Sequence, residues 1–101
     1  MKNYIQITTP LNVVVSVSEE YWEYIIHIKH KIMQGKEKEV IVALSNPDEI
    51  RKSKADKTVY LYYKKSDKLY CVVAKHLNGK GFIITCYLTD RLKEGHEIWR
   101  K

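Results

Sequence analysis

A chain of 101 residues with 18 Lys plus Arg against 12 Asp plus Glu, a net charge of +6, has room for one core of ordinary size and none for a two-lobed nucleotide-dependent enzyme. Its 45% hydrophobic content argues against disorder, and no apolar run reaches the length of a membrane span. The opening Met1-Lys2-Asn3-Tyr4-Ile5-Gln6 lacks the apolar core of a signal peptide, so the expectation is one cytoplasmic domain over 1–101 with no membrane partner. Cys71 and Cys86 stand outside any C-x-x-C pair and read as buried thiols. His27 and His30 are three apart but have no Cys or acidic partner at metal-like spacing, so neither a metal nor another cofactor is expected.

In chain order, Tyr4 to Thr8 and Val13 to Val17 are rich in β-branched residues on either side of Pro10 and predict one or two short strands. Ser18-Glu19-Glu20 reads as an N-cap followed by acids in a first helical turn. On a 3.6-residue wheel Trp22, Ile25, Ile26, Ile28 and Ile32 share one side, which predicts a helix ending near His30 to Ile32. After Gly35, Lys36 to Leu44 predicts a second helix that Asn46-Pro47 stops, because the residue before proline avoids the α region. Asp48-Glu49-Ile50 reads as a turn that tucks Ile50 inward, and Arg51 to Lys57 as a basic polar segment. Thr58 to Lys64, Leu69 to His76 and Phe82 to Thr89 are strand-like, joined by turn chemistry at Lys65-Ser66-Asp67 and Asn78-Gly79-Lys80. The tail from Arg91 to Lys101 predicts a last helical turn docking through Ile98 and Trp99.

The order β, α, α, β, β, β predicts an α+β fold: N-terminal strand or strands, two helices, then a three-stranded antiparallel meander with the helices on one face. The uniformly apolar Phe82, Ile84, Cys86 and Leu88 are expected to face the helices. With an even loop at Asn78-Gly79, Cys71 lies opposite Cys86; with an odd loop at Ser66, Leu61 and Tyr63 join the buried set. The open face then carries Tyr60, Tyr62, Tyr70, His76, Thr85 and Tyr87, either as a stacking platform for bases or because tyrosine suits half-buried strands. A slip of one residue would exchange His76 for Lys75 on that face.

No Walker loop, nucleophile elbow, dinucleotide fingerprint or H-E-x-x-H motif is present. What remains is a basic, hydroxyl-rich set: His30, Arg51, Lys52, Ser53, Lys54, Tyr62, Lys75, His76, Thr85 and Tyr87. Such a set suits metal-independent RNA cleavage by the substrate's own 2′-hydroxyl. That reaction needs a base, an acid and cations around the phosphate, and needs no cofactor. The structural alternatives are a helix C-terminal cap for His30, a solvated loop for Arg51 to Lys57 and a snorkelling side chain for Lys75.

Glu20 to Ile25 with Ile28-Lys29-His30, Asn46 to Ser53, Val59 to Tyr63, Cys71 to Lys75 and Gly81 to Lys93 together resemble a family of small bacterial and phage-associated proteins grouped with the barnase/EndoU/colicin/RelE-like nucleases. The resemblance implies a RelE/barnase-like fold and an endoribonuclease, the toxin of a toxin–antitoxin pair. It places the family's site residues on His30, Arg51, Ser53, Lys75, Thr85 and Tyr87. From the basic, hydroxyl-rich set as a whole, His30, Arg51, Lys75, Thr85 and Tyr87 are expected to be catalytic, and Lys52, Ser53, Lys54, Tyr62 and His76 to contact RNA. The implied partners are RNA (mRNA or tRNA), an acidic antitoxin and the ribosome. His76 departs from the family pattern, which has a second cation after Lys75. The competing expectation is a non-catalytic RNA- or protein-binding module on the same scaffold.

Overall fold

The computed structural model describes residues 3–91 and 95–101. Strands β1 (Asn3–Thr8) and β2 (Val14–Ser18) form a hairpin, and α1 (Glu19–Tyr24) follows directly. The Ser18 side chain accepts a hydrogen bond from the Tyr21 amide at 3.1 Å, the N-cap that its sequence context demands. After Tyr24 the helix does not continue in α form. Ile25–Lys29 make a π-helical turn in which the His30 amide reaches back to the Ile25 carbonyl at 2.7 Å, and Lys31–Met33 make a 3-10 turn. Helix α2 (Glu37–Ser45) packs Val40, Ala43 and Leu44 into the core and stops ahead of Pro47. Then come β3 (Glu49–Lys52), β4 (Val59–Lys65), β5 (Leu69–Leu77), β6 (Lys80–Thr89) and β7 (His96–Arg100).

All seven strands join one mixed sheet in the order β1-β2-β6-β5-β4-β3-β7. Every neighbouring pair is antiparallel except β2 and β6, which run parallel from Val14–Lys80 to Ser16–Phe82. This corrects the expected RelE-like layout of two helices on a three-stranded meander. The meander exists as β4, β5 and β6, but it lies in the middle of a wider sheet. Glu49 to Lys52, expected as part of a turn over Asp48 to Ile50 and the start of a basic polar segment, is a strand, and so is the C-terminal segment His96–Arg100, expected to be helical. Both are short and polar, and they hold because they pair with each other, Ile50 opposite Trp99, with β3 also paired to β4. Of the resembling run that ends at Lys93, Leu92 and Lys93 lie outside the described residues.

The main core joins Trp22, Ile25, Ile26, Met33, Val40 and Leu44 to a sheet face built from Ile50, Tyr62, Tyr70, Val72, Ala74, Ile83 and Cys86. Leu61, Tyr63 and Cys71 make a second cluster with Leu69, Val73 and Tyr87. The expected assignment of β4 and β5 is therefore reversed. Both loops have the expected parity, with Leu77 opposite Lys80 and Lys65 opposite Leu69. A bulge at Ile84 intervenes: Ala74 pairs with Ile83, but Val73 pairs with Thr85. One extra residue in β6 leaves Cys86 and Leu88 on the helix side yet places Val72, not Cys71, opposite Cys86. Every side chain of β4 and β5 changes face as a result.

Candidate functional site

The bulge is held from outside the sheet. The Ile84 carbonyl accepts hydrogen bonds from the Tyr21 hydroxyl at 2.8 Å and from Lys29 Nζ at 3.2 Å. The π-helical turn puts Lys29 there. It also rotates Ile28 and Ile32, expected in the apolar stripe, out to 68% and 61% exposure. His30, the next residue, has left helical geometry with φ −144° and ψ 85°. Its ring lies 5.5 Å from that of Tyr87, tilted by 31°. Thr85 stands two residues before Tyr87 on the same face of β6, and its Oγ1 is buried with no hydrogen-bond partner. His30 and Tyr87 thus meet at one edge of the sheet face that turns away from the helices, with Thr85 two residues before Tyr87 on that face.

Lys75 and Arg51 share that face but not that place. Lys75 is two residues along β5 from Val73, the partner of Thr85, and its ammonium lies 3.9 Å from Asp56 Oδ2. Arg51 sits across Leu61 and Val73 from Thr85, three strand spacings or about 14 Å away. Its guanidinium is paired with the buried Glu49 carboxylate and donates from Nη1 to the Gly95 carbonyl at 3.3 Å. Glu49 also meets Arg100 at 3.7 Å. The five residues expected to be catalytic therefore fall into a His30–Tyr87 contact with Thr85 two residues along the same strand, a separate Lys75 facing Asp56, and a remote, ion-paired arginine.

The residues expected to contact RNA are more dispersed. Tyr62 is fully buried in the helix-facing core, where desolvation pushes its hydroxyl up to about 12. It donates to Thr9 Oγ1 at 3.2 Å and shares a 3.0 Å hydrogen bond with His76 Nε2. His76 in turn stacks on Tyr60 at 3.9 Å, and burial lowers its pKa to about 4, so the half-buried imidazole is neutral at neutral pH. Lys52 lies over the Tyr60 ring at 5.6 Å. Tyr70 is buried too, with its hydroxyl on Asp67. Of the tyrosines expected on the open face, Tyr62 and Tyr70 are thus core and Tyr60 packs partly buried against it, because the Ile84 bulge turned β4 and β5; Tyr87 stays on the face away from the helices. Ser53 Oγ closes its own loop by accepting from the Ala55 and Asp56 amides, and Lys54 is exposed.

The Ile84 bulge, with its two outside donors, is the feature sequence reading missed; its only trace is the loss of strict alternation at Phe82-Ile83-Ile84. Among the described residues no helix is long and apolar enough to cross a membrane, and no three His, Cys, Asp or Glu gather as metal ligands. Comparison with known proteins gives no match: no family model fits the chain, and no curated protein and no solved structure is similar to it.

Proposed function

We propose that the chain is a metal-independent endoribonuclease that cleaves RNA by 2′-hydroxyl attack, with His30 as the proton-transfer group. The observation that carries this reading is the contact of His30 with Tyr87 beside the partnerless Thr85 hydroxyl. An imidazole and a phenol at one edge, flanked by Lys29 and Lys31 and backed by the buried Thr85 hydroxyl, supply a proton-transfer group, a hydrogen-bond donor and cations for in-line phosphodiester cleavage. His76 is engaged elsewhere: half-buried, hydrogen-bonded to Tyr62 and stacked on Tyr60, it has its pKa lowered to about 4 by burial and so is seldom protonated near neutral pH. Lys75 and Arg51 act farther along the RNA backbone rather than on the scissile phosphate. A toxin held by an acidic antitoxin in the cytoplasm, acting on mRNA or tRNA with or without the ribosome, is the biological setting this activity suits.

One observation favours a second reading, a non-catalytic RNA-binding module: Arg51 and Lys75 already have carboxylate partners in Glu49 and Asp56. Incubating RNA with the pure protein in EDTA separates the two. Cleavage to 2′,3′-cyclic phosphate ends, slowed about a hundredfold or more in His30→Ala, supports the enzyme. Intact RNA, with and without translating ribosomes, together with salt-sensitive binding equal in wild type and His30→Ala, supports the binding module and rejects the enzyme.

A further inference from the structure

β2 and β6 stay paired for only three residues, then diverge where α1 begins and the Ile84 bulge starts. The divergence opens a cleft of about 340 Å³ walled by Ser16, Ser18, Tyr21, Phe82, Ile83 and Ile84. That volume falls at the lower end of small-ligand pockets, enough for one planar ring system and part of a sugar. Two aromatic rings and the Ile side chains provide apolar walls, and Phe82 is 45% exposed at the rim. Three lining residues carry hydroxyls, Ser16, Ser18 and Tyr21; Ser18 Oγ accepts from the Tyr21 amide and the Tyr21 hydroxyl donates to the Ile84 carbonyl. Mostly apolar walls with a few polar groups that set orientation are how proteins hold heterocycles.

A cation adjoins the cleft. Lys29 Nζ donates to the Ile84 carbonyl at 3.2 Å and to the Tyr21 hydroxyl at 3.4 Å, and Ile84 and Tyr21 are both cleft walls. An ammonium carries three donors, so one N–H is left for a ligand. Thr85 directly follows Ile84, and His30 directly follows Lys29.

We infer that this cleft binds the base of a single nucleotide, with Lys29 holding that nucleotide's phosphate. The inference rests on the proposed action on RNA and makes the cleft the subsite that selects the base next to the His30–Tyr87 edge.

The test is NMR titration of the whole protein with the four ribonucleoside 5′-monophosphates and their nucleosides. At least one nucleotide is expected to shift the amides of Ser16, Tyr21, Ile83 and Ile84. Ser16→Phe, which fills the cleft, is expected to weaken binding about tenfold or more, a difference of about 1.4 kcal/mol. Phe82→Ala removes an exposed wall without entering the core and is expected to weaken it about fivefold if Ser16→Phe does not fold. Lys29→Gln should weaken the nucleotide about tenfold and the nucleoside clearly less, since Lys29 also braces the Ile84 wall. The inference is overturned if no nucleotide shifts these amides, if a folded Ser16→Phe or Phe82→Ala binds like wild type, or if nucleotide and nucleoside bind equally well. RNA cleavage with an empty cleft overturns the cleft alone. Nucleotides in the cleft with no RNA bound or cleaved support the cleft and reject the action on RNA.

Discussion

Tyr62 and His76 share a 3.0 Å hydrogen bond at the margin of the helix-facing core, and the same half-buried imidazole lies flat on Tyr60 with planes 11° apart. The Tyr62 proton goes to Thr9, so the hydroxyl accepts from a neutral His76 Nε2–H. The buried Tyr62 hydroxyl is thereby satisfied by Thr9 on one side and a half-buried, neutral imidazole on the other.

That arrangement makes stability depend on pH in one direction. His76 titrates near 4 in the fold against an ordinary value of 6.5, because burial disfavours the imidazolium. Below about 6.5 the unfolded chain takes a proton that the fold refuses, so this contribution is complete above 6.5 and declines as pH falls toward 4. Urea unfolding across that window is expected to show an uptake of up to about one proton that His76→Phe removes. Equal pH slopes in the two proteins would contradict the assignment.

Glu49 is buried between Arg51 and Arg100, whose exposures differ greatly. The Arg51 side chain is 21% exposed and Arg100 66%. Arg51→Ala leaves the carboxylate without its close partner and is expected to cost about 3 kcal/mol. Arg100→Ala, at the surface, is expected to cost less than about 1 kcal/mol. Denaturant midpoints check both, and they also decide whether a loss of activity in Arg51→Ala reflects chemistry or unfolding.

Cys71 and Cys86 lie on adjacent strands, but Cys71 pairs with Tyr87 and Cys86 with Val72, so the two thiols point to opposite faces. Neither forms a disulfide, and burial pushes the Cys86 thiol up to about 12. A thiol reagent is expected to label neither residue rapidly in the native protein and both in denaturant. Rapid native labelling of Cys86, or oxidative bridging of the pair, would contradict this register.

Gly95 leads into β7 at φ +82°, and a Cβ there would lie 2.5 Å from the Lys52 carbonyl oxygen. Gly95→Ala is therefore expected to loosen β7 from β3 at a cost of about 2 kcal/mol. Hydrogen exchange should quicken at Ile98 to Arg100 while β5 stays protected. Unchanged protection across β7 would show that the strand docks without that close approach.

Local chemistry made much of this chain legible. Ser18 announces the start of α1, Asn46-Pro47 the end of α2, and the Asn78-Gly79 turn has positive φ at both residues, as a two-residue hairpin requires. The β-branched and aromatic runs delimit β1, β2, β4, β5 and β6 to within a residue or two. These features depend on neighbours in sequence, which a sequence displays.

The faces, the sheet edges and the site were decided only in three dimensions. The Ile84 bulge is stable because Tyr21 and Lys29, 63 and 55 residues away, supply donors to its carbonyl. Periodicity holds no record of those partners, yet the bulge turned Tyr62 and Tyr70 inward and Lys75 outward. The π-helical turn similarly exposed Ile28 and Ile32 and brought His30 to Tyr87. β3 and β7 are too short and polar to persist alone, and their pairing spans nearly half the chain. Length and a charge of +6 determined a single small basic domain. One extra residue in a strand and one in a helix decided which groups face the helices and which face away, because side-chain direction depends on phase and one inserted residue changes the phase of all that follow.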